Sequence, residues 1–155
     1  MITFFLVLHV LGAVVALGFS LAYGLWIARG DAAGAAERVF ALRTVSWIDR
    51  RMTTPAYVLQ LFTGLVLVGL LDWSVLRQSW LEISIGLYVV LTALAITTYA
   101  PAHRRQTALA AELAEGGEVH GEYALAAASA RRWGILVTIL TLTILLLMVW
   151  KPIWW

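Results

Sequence analysis

The chain has 155 residues, no cysteine, and a composition that is 62% hydrophobic against 13% charged. Disulfides and cysteine metal sites are excluded, and so is a water-filled fold, because a chain this short holds four apolar runs of about 20 residues, each long enough to cross a bilayer. The net charge of +2 sets topology and calls for no nucleic acid partner. Arg29, Arg38, Arg43, Arg50 and Arg51 lie between the first two runs and Arg104, Arg105, Arg131 and Arg132 between the last two, leaving only Arg77 and Lys151 elsewhere. The positive-inside rule therefore places both basic connections in the cytoplasm and both termini outside.

The first span covers about residues 2–27. It is too long for a signal peptide and lacks a basic leading region and a cleavage site, so it reads as a retained helix. His9 lies about 10 Å into it at 1.5 Å of rise per residue, between Phe4-Phe5-Leu6-Val7-Leu8 and Val10-Leu11. An imidazole in hydrocarbon is costly without a partner and marks a candidate site. Gly12, Ala16, Ser20 and Gly24 recur every four residues, and His9 falls at the edge of the same arc. Small residues so spaced let helices approach closely. Gly12 would also leave room for the edge of a flat macrocycle.

The first basic connection, 28–53, carries a helical pattern over Ala35–Arg51 that lies on the membrane surface or projects from it. Thr53-Thr54-Pro55 opens the second span, 54–73, with proline in the first turn, where its missing N–H costs nothing. Gln60, Thr63 and Gly64 are its polar and small positions. The short Ser74–Ser79 connection leads to a third span, 80–100, where Glu82 precedes a polar row of Ser84, Tyr88 and Thr92. Asp72 and Glu82 read as interfacial carboxylates.

Residues 101–132 are rich in alanine and glutamate and break at Gly116-Gly117. They predict an extension of span three, a turn and a helix returning into span four, 133–150. Glu112, Glu115, Glu118 and Glu122 form a solvated face, and His103 and His120 read as surface histidines without a role. Thr138, Thr141 and Met148 are the notable positions of span four. Tryptophans form two interfacial belts, Trp73, Trp80, Trp150, Trp154 and Trp155 outside and Trp26, Trp47 and Trp133 inside. The expected architecture is all-α: an integral membrane four-helix bundle in one transmembrane domain (1–155), N-out and C-out, with two cytoplasmic helical loops.

A b-type haem needs an imidazole ligand and a dry slot between helices. His9 supplies the ligand, and no other histidine lies in a span, so a haem here is five-coordinate, ligated also by Met148, or shared between two chains. The competing reading is a histidine satisfied by a neighbouring hydroxyl or carboxylate. One buried histidine without cysteine or a methionine cluster makes a poor copper site.

Leu8-His9-Val10-Leu11-Gly12, Thr53-Thr54-Pro55-Ala56 with Leu59-Gln60 and Thr63-Gly64, Trp80-Leu81, and Met148-Val149-Trp150-Lys151-Pro152 occur in this order over nearly the whole chain. The ordered set resembles a bacterial family of small four-helix predicted integral membrane proteins. That family is related to the HemJ-type protoporphyrinogen oxidases and, more distantly, to the CopD copper-resistance membrane domain. The resemblance implies a four-helix core with haem b held by His9 in a bacterial inner membrane. HemJ-type enzymes carry a histidine and a lysine after the tryptophan-leucine pair of span three, where this chain has Glu82 and Ser84.

Two expectations follow. The first is a membrane haem- or porphyrin-binding redox protein. His9 is its axial ligand, the Gly12, Ala16 and Ser20 face walls the slot, and Glu82, Ser84 and Tyr88 are partners around it. The second is a cofactor-free structural or accessory subunit of a larger respiratory or photosynthetic complex, or of a homo-oligomer, packed through its small-residue stripe. In both, the bilayer is the surrounding partner.

Overall fold

Two glycines make the first hairpin. Helix α1 runs Ile2–Ala33, and the chain reverses at Gly34 alone before α2, Ala35–Ile48. Gly34 has φ +147° and ψ −179°, a conformation that a side chain would strain. Gly30 is buried against α2, where an added Cβ would stand 2.6 Å from that of Ala41. The antiparallel helices thus meet almost backbone to backbone. The computed structural model describes residues 1–71 and 77–151. Asp72, Trp73, residues 74–76 of the Ser74–Ser79 connection, Pro152, Trp154 and Trp155 lie outside the described residues.

Pro55 does not begin a helix. Helix α2 continues through a π-turn, Asp49–Thr53, into α3, Thr54–Leu71. Proline lacks the N–H that the Arg51 carbonyl would accept, and its ring would clash with that carbonyl in a regular helix. The widened turn absorbs both defects: the Thr54 N–H reaches back to the Asp49 carbonyl. The third long helix repeats this device. Helix α4, Ser79–Leu94, passes through a π-turn, Ala95–Tyr99, into α5, Ala100–Ala114, with Pro101 one residue beyond the turn. A turn at Gly116 and Gly117 then leads to α6, His120–Trp150.

The unbroken helices Ala35–Leu71 and Ser79–Ala114 contain 37 and 36 residues. At 1.5 Å per residue each is about 55 Å long, against about 30 Å of hydrocarbon. Both basic connections are therefore helical extensions of the bundle, and α2 projects from the membrane instead of lying on it. The α1–α3 and α4–α6 pairs form the membrane halves of two hairpins. The hairpins join where α2 packs on α5 and α1 on α6.

The interior is small and hydroxyl-rich, with Gly12, Ala16, Thr53, Thr63 and Ser84 buried. Phe4, Val14, Leu25, Val58, Leu65, Val89, Ile96 and Leu146 point outward. This is how a bilayer sorts a bundle: lipid is as apolar as leucine, so close packing and interhelical hydrogen bonds hold the helices together. The four helices are long and apolar enough to span, and the described residues contain no strand. The expected all-α membrane bundle is the observed fold.

Two details differ from the tryptophan and small-residue readings. Trp80 is not a lipid-facing anchor. It is buried with Val68, Leu81 and Met148, and its Nε1 donates to Gln78 Oε1 at 2.6 Å. Gly24 faces outward with open space around it, because the packing face of α1 continues through Tyr23 and Gly30. A strict four-residue period drifts around a helix of 3.6 residues per turn, and here it leaves the interface by Gly24.

Candidate functional site around His9

His9 faces span two. Its Nδ1 lies 2.9 Å from Thr63 Oγ1, and Thr63 is fully buried. The hydroxyl's single proton can go to the Leu59 carbonyl at 2.7 Å, one helical turn back. In that arrangement Thr63 accepts from His9 Nδ1–H; with the hydroxyl turned toward the ring, Nδ1 accepts instead. No group among the described residues bonds to Nε2, which carries a free lone pair in the first of these tautomers. The Gln60 side-chain amide also donates to the His9 backbone carbonyl. At Gly64 an added Cβ would stand 3.2 Å from His9 Cε1, so this glycine makes room for the ring. Gln60, Thr63 and Gly64 thus form one cradle, all from α3.

The other predicted site residues do not gather here. Gly12 is closed over by span two: an added Cβ would lie 3.3 Å from Gln60 Cγ, leaving no place for a macrocycle edge. Ala16 is buried within the chain. The proposed slot wall is therefore a helix–helix contact. Glu82 is exposed, and the buried Ser84 donates to its own Trp80 carbonyl at 2.6 Å. Tyr88 donates to the Tyr57 carbonyl at 2.7 Å. No hydrogen bond joins these three to His9 among the described residues, and α1 and α4 have no Cα atoms within 8 Å of each other there. Met148 is engaged in the Trp80 cluster.

Tyr57, which sequence reasoning passed over, ties the spans together. Its hydroxyl lies 3.4 Å from Ser20 Oγ of span one and 3.2 Å from Thr141 Oγ1 of span four, and its carbonyl receives Tyr88 of span three. A tyrosine one turn inside a membrane helix signals such a role only weakly, since tyrosine at that depth also serves as an interfacial anchor.

At the basic end the structure overturns the surface reading of His103. The residue is 6% exposed and stacks on Tyr99, with ring centroids 5.8 Å apart. Its Nε2 lies 3.0 Å from Ser46 Oγ, whose own proton goes to the Leu42 carbonyl at 3.0 Å. The Nε2–H therefore donates, and Nδ1 is buried without a partner among the described residues. Burial pushes this imidazole below its ordinary pKa, against a smaller raising effect of the Leu42 backbone. His120, by contrast, is exposed at the start of α6, as expected. Asp31 links three helices nearby: Arg38 Nε donates to it at 2.8 Å and Tyr123 OH at 2.7 Å.

Four membrane-length helices around a polar interior define a multi-pass helical membrane protein. The family described as predicted integral membrane protein (DUF2269) has a model that matches residues 3–152, and the chain belongs to that family. No curated protein and no solved structure matches it. Among the described residues no three His, Cys, Asp or Glu side chains cluster as a metal site, so a metal held by protein side chains alone finds no donor set there.

Proposed function

We propose that this protein binds haem b, or a closely related iron porphyrin, in the outer half of a bacterial inner membrane, with His9 Nε2 as axial ligand. The observation that carries the reading is the 2.9 Å contact between His9 Nδ1 and the buried Thr63 hydroxyl, read in the tautomer in which Nδ1–H donates. An imidazole whose Nδ1–H is held by an acceptor, with Nε2 free, is an oriented metal ligand. The residue set fits a single protein ligand from one histidine. The resemblance to HemJ-type proteins, which place a haem-binding histidine at this position of span one, points the same way.

The chain's own residues would hold the imidazole in one tautomer, fix the height of α1 on α3 through Gln60, and keep water away from the ring. A bound haem would supply one-electron redox chemistry or ligand binding at iron. Protoporphyrinogen oxidation is not part of the proposal. The histidine and lysine positions of the HemJ-type enzymes are Glu82 and Ser84, the first exposed and the second bonded to its own backbone.

The accessory-subunit alternative rests on a small-residue face offered to a partner helix. Gly12 and Ala16 are already covered by this chain alone, which removes the face that alternative offers a partner, as it removes the slot wall first expected for haem. An optical spectrum of detergent-purified protein tests it. The expected result is a Soret band, pyridine-extractable haem b, and loss of both in His9→Ala. Protein that is colourless and fails to take up added haemin overturns the assignment.

A further inference from the structure

At the basic end, α2 and α5 enclose an open groove of about 550 Å³. Arg43, Ser46, Trp47 and Arg50 line it from α2, and Arg104, Thr107, Ala108 and Ala111 from α5. Both sets follow the spacing i, i+3, i+4, i+7, the signature of one helix face. The alanines keep the floor low, and the arginines rise from both walls.

Among the described residues none of the three guanidinium groups here is in an ion pair, although Arg50 acts on the carboxylate of its neighbour Asp49 through its charge. The ion pairs among the described residues join Arg38 to Asp31 and Arg105 to Glu122, none of them in the groove. Asp49, adjacent to Arg50, receives the Thr54 hydroxyl instead, and Arg50 Nε donates to the Ser46 carbonyl. The positive-inside rule accounts for arginines at this end. It does not account for the convergence of Arg43, Arg50 and Arg104 on one cleft from helices far apart in sequence. Three like charges gathered around one adjacent carboxylate and in no ion pair favour an anion, and the planar guanidinium fork suits phosphate oxygens.

The depth of the groove identifies the source of that phosphate. Arg50 lies four residues before the start of span two at Thr54, and Arg104 four residues after the end of span three at Ala100. Each is therefore about 6 Å beyond the hydrocarbon edge, inside the headgroup layer, which is about 5–8 Å thick on each side. Trp47 and Arg43 lie further out along α2, about 10 Å and 16 Å beyond that edge, so the headgroup-level part of the groove is its Arg50–Arg104 end. The hydroxyl protons of Ser46 and Thr107 are spent on the carbonyls of Leu42 and His103, so recognition falls to the arginines. We infer that this groove is a binding site for the phosphate of an anionic phospholipid headgroup, independent of the His9 site.

Native mass spectrometry of the purified full chain tests the site, with phosphatidylglycerol, phosphatidylcholine and inorganic phosphate as probes. Phosphatidylglycerol is expected to be retained at least about tenfold more strongly than phosphatidylcholine, the scale of one charge-assisted hydrogen bond. The double variant Arg50→Gln/Arg104→Gln loses the preference, and Arg50→Lys/Arg104→Lys, which keeps charge but not the fork, retains part of it. Arg131→Gln/Arg132→Gln removes two charges just before span four, outside the groove, and leaves the preference intact. Helix content from circular dichroism must be equal in all variants for the comparison to count. Equal loss in both glutamine variants, or no preference in the parent, overturns the proposal. Inorganic phosphate binding without lipid preference overturns the lipid source.

Discussion

Pro55 and Pro101 stand in the same relation to their helices. Each follows a π-turn with one residue between, and the two turns hold the polar contacts at the basic end of the membrane section. Thr53, the last residue of the first turn, bonds the buried Tyr23 hydroxyl. Tyr99, the last residue of the second, stacks on His103. The prolines thus set how side chains around them are aimed, since an extra residue in a turn rotates everything after it.

Pro55→Ala restores the missing N–H and removes the ring clash, so the turn is expected to relax toward regular helical pitch and carry Thr53 away from Tyr23. In the parent, Tyr23→Phe should cost about 0.6 to 1.7 kcal/mol, the range for interhelical hydrogen bonds in membranes. In the Pro55→Ala background it should cost nearly nothing. A double-mutant cycle from detergent unfolding reads the coupling. Full additivity counts against the assignment.

Thr63→Val removes the hydrogen-bond partner of His9 Nδ1 and leaves a polar group unpaired, a loss of about 1–3 kcal/mol. Thr63→Ser keeps the hydroxyl and should keep most of the stability. Where haem is bound, the valine variant should also shift the Soret band or weaken haem retention, because the ring loses the partner that orients it. An unchanged melting curve in Thr63→Val would contradict the bond.

Close approach at Gly30 is testable against an open glycine. Gly30→Ala drives a methyl to 2.6 Å from Ala41 Cβ, and overpacking of this kind costs about 1–3 kcal/mol. Gly18 has nothing within 4 Å of an added Cβ. Gly18→Ala should therefore leave stability unchanged or raise it, since alanine suits a helix better. Thermal melts in one detergent compare the two directly.

His103 should make stability depend on pH. Its folded pKa lies below the ordinary value because the charged form is buried, while the unfolded chain takes up its proton near about 6.5. Below that pH the unfolded state binds more protons than the folded one, so stability falls as pH drops and levels off only beneath the folded pKa. Melting temperatures between pH 8 and pH 5 should decline for the parent and decline less for His103→Gln. Parallel curves would remove His103 as the source.

Much of the fold was legible because bilayer thickness converts apolar run length directly into helices, and the arginine distribution marked both helical extensions. His9 was legible as a candidate site for the same reason: a polar ring amid Phe, Leu and Val stands out. Its cradle was only half visible. Gln60, Thr63 and Gly64 carry the expected polar and small character, but nothing in a linear pattern tells which of several hydroxyls will meet the imidazole. Ser84 and Tyr88 have the same character and went elsewhere, one to its own backbone and one to Tyr57.

Composition and run length by themselves determined that this is a four-span helical membrane protein with one histidine deep in a span, because those properties depend only on transfer from water to lipid. The tertiary structure alone decided which faces meet. It closed Gly12 over with Gln60, turned Gly24 outward, buried His103 and brought Arg50 and Arg104 to one groove. Those outcomes depend on the rotation of each helix about its axis. That rotation is set by close packing, by single hydroxyl protons and by two proline-driven π-turns, and no term in it follows from hydropathy.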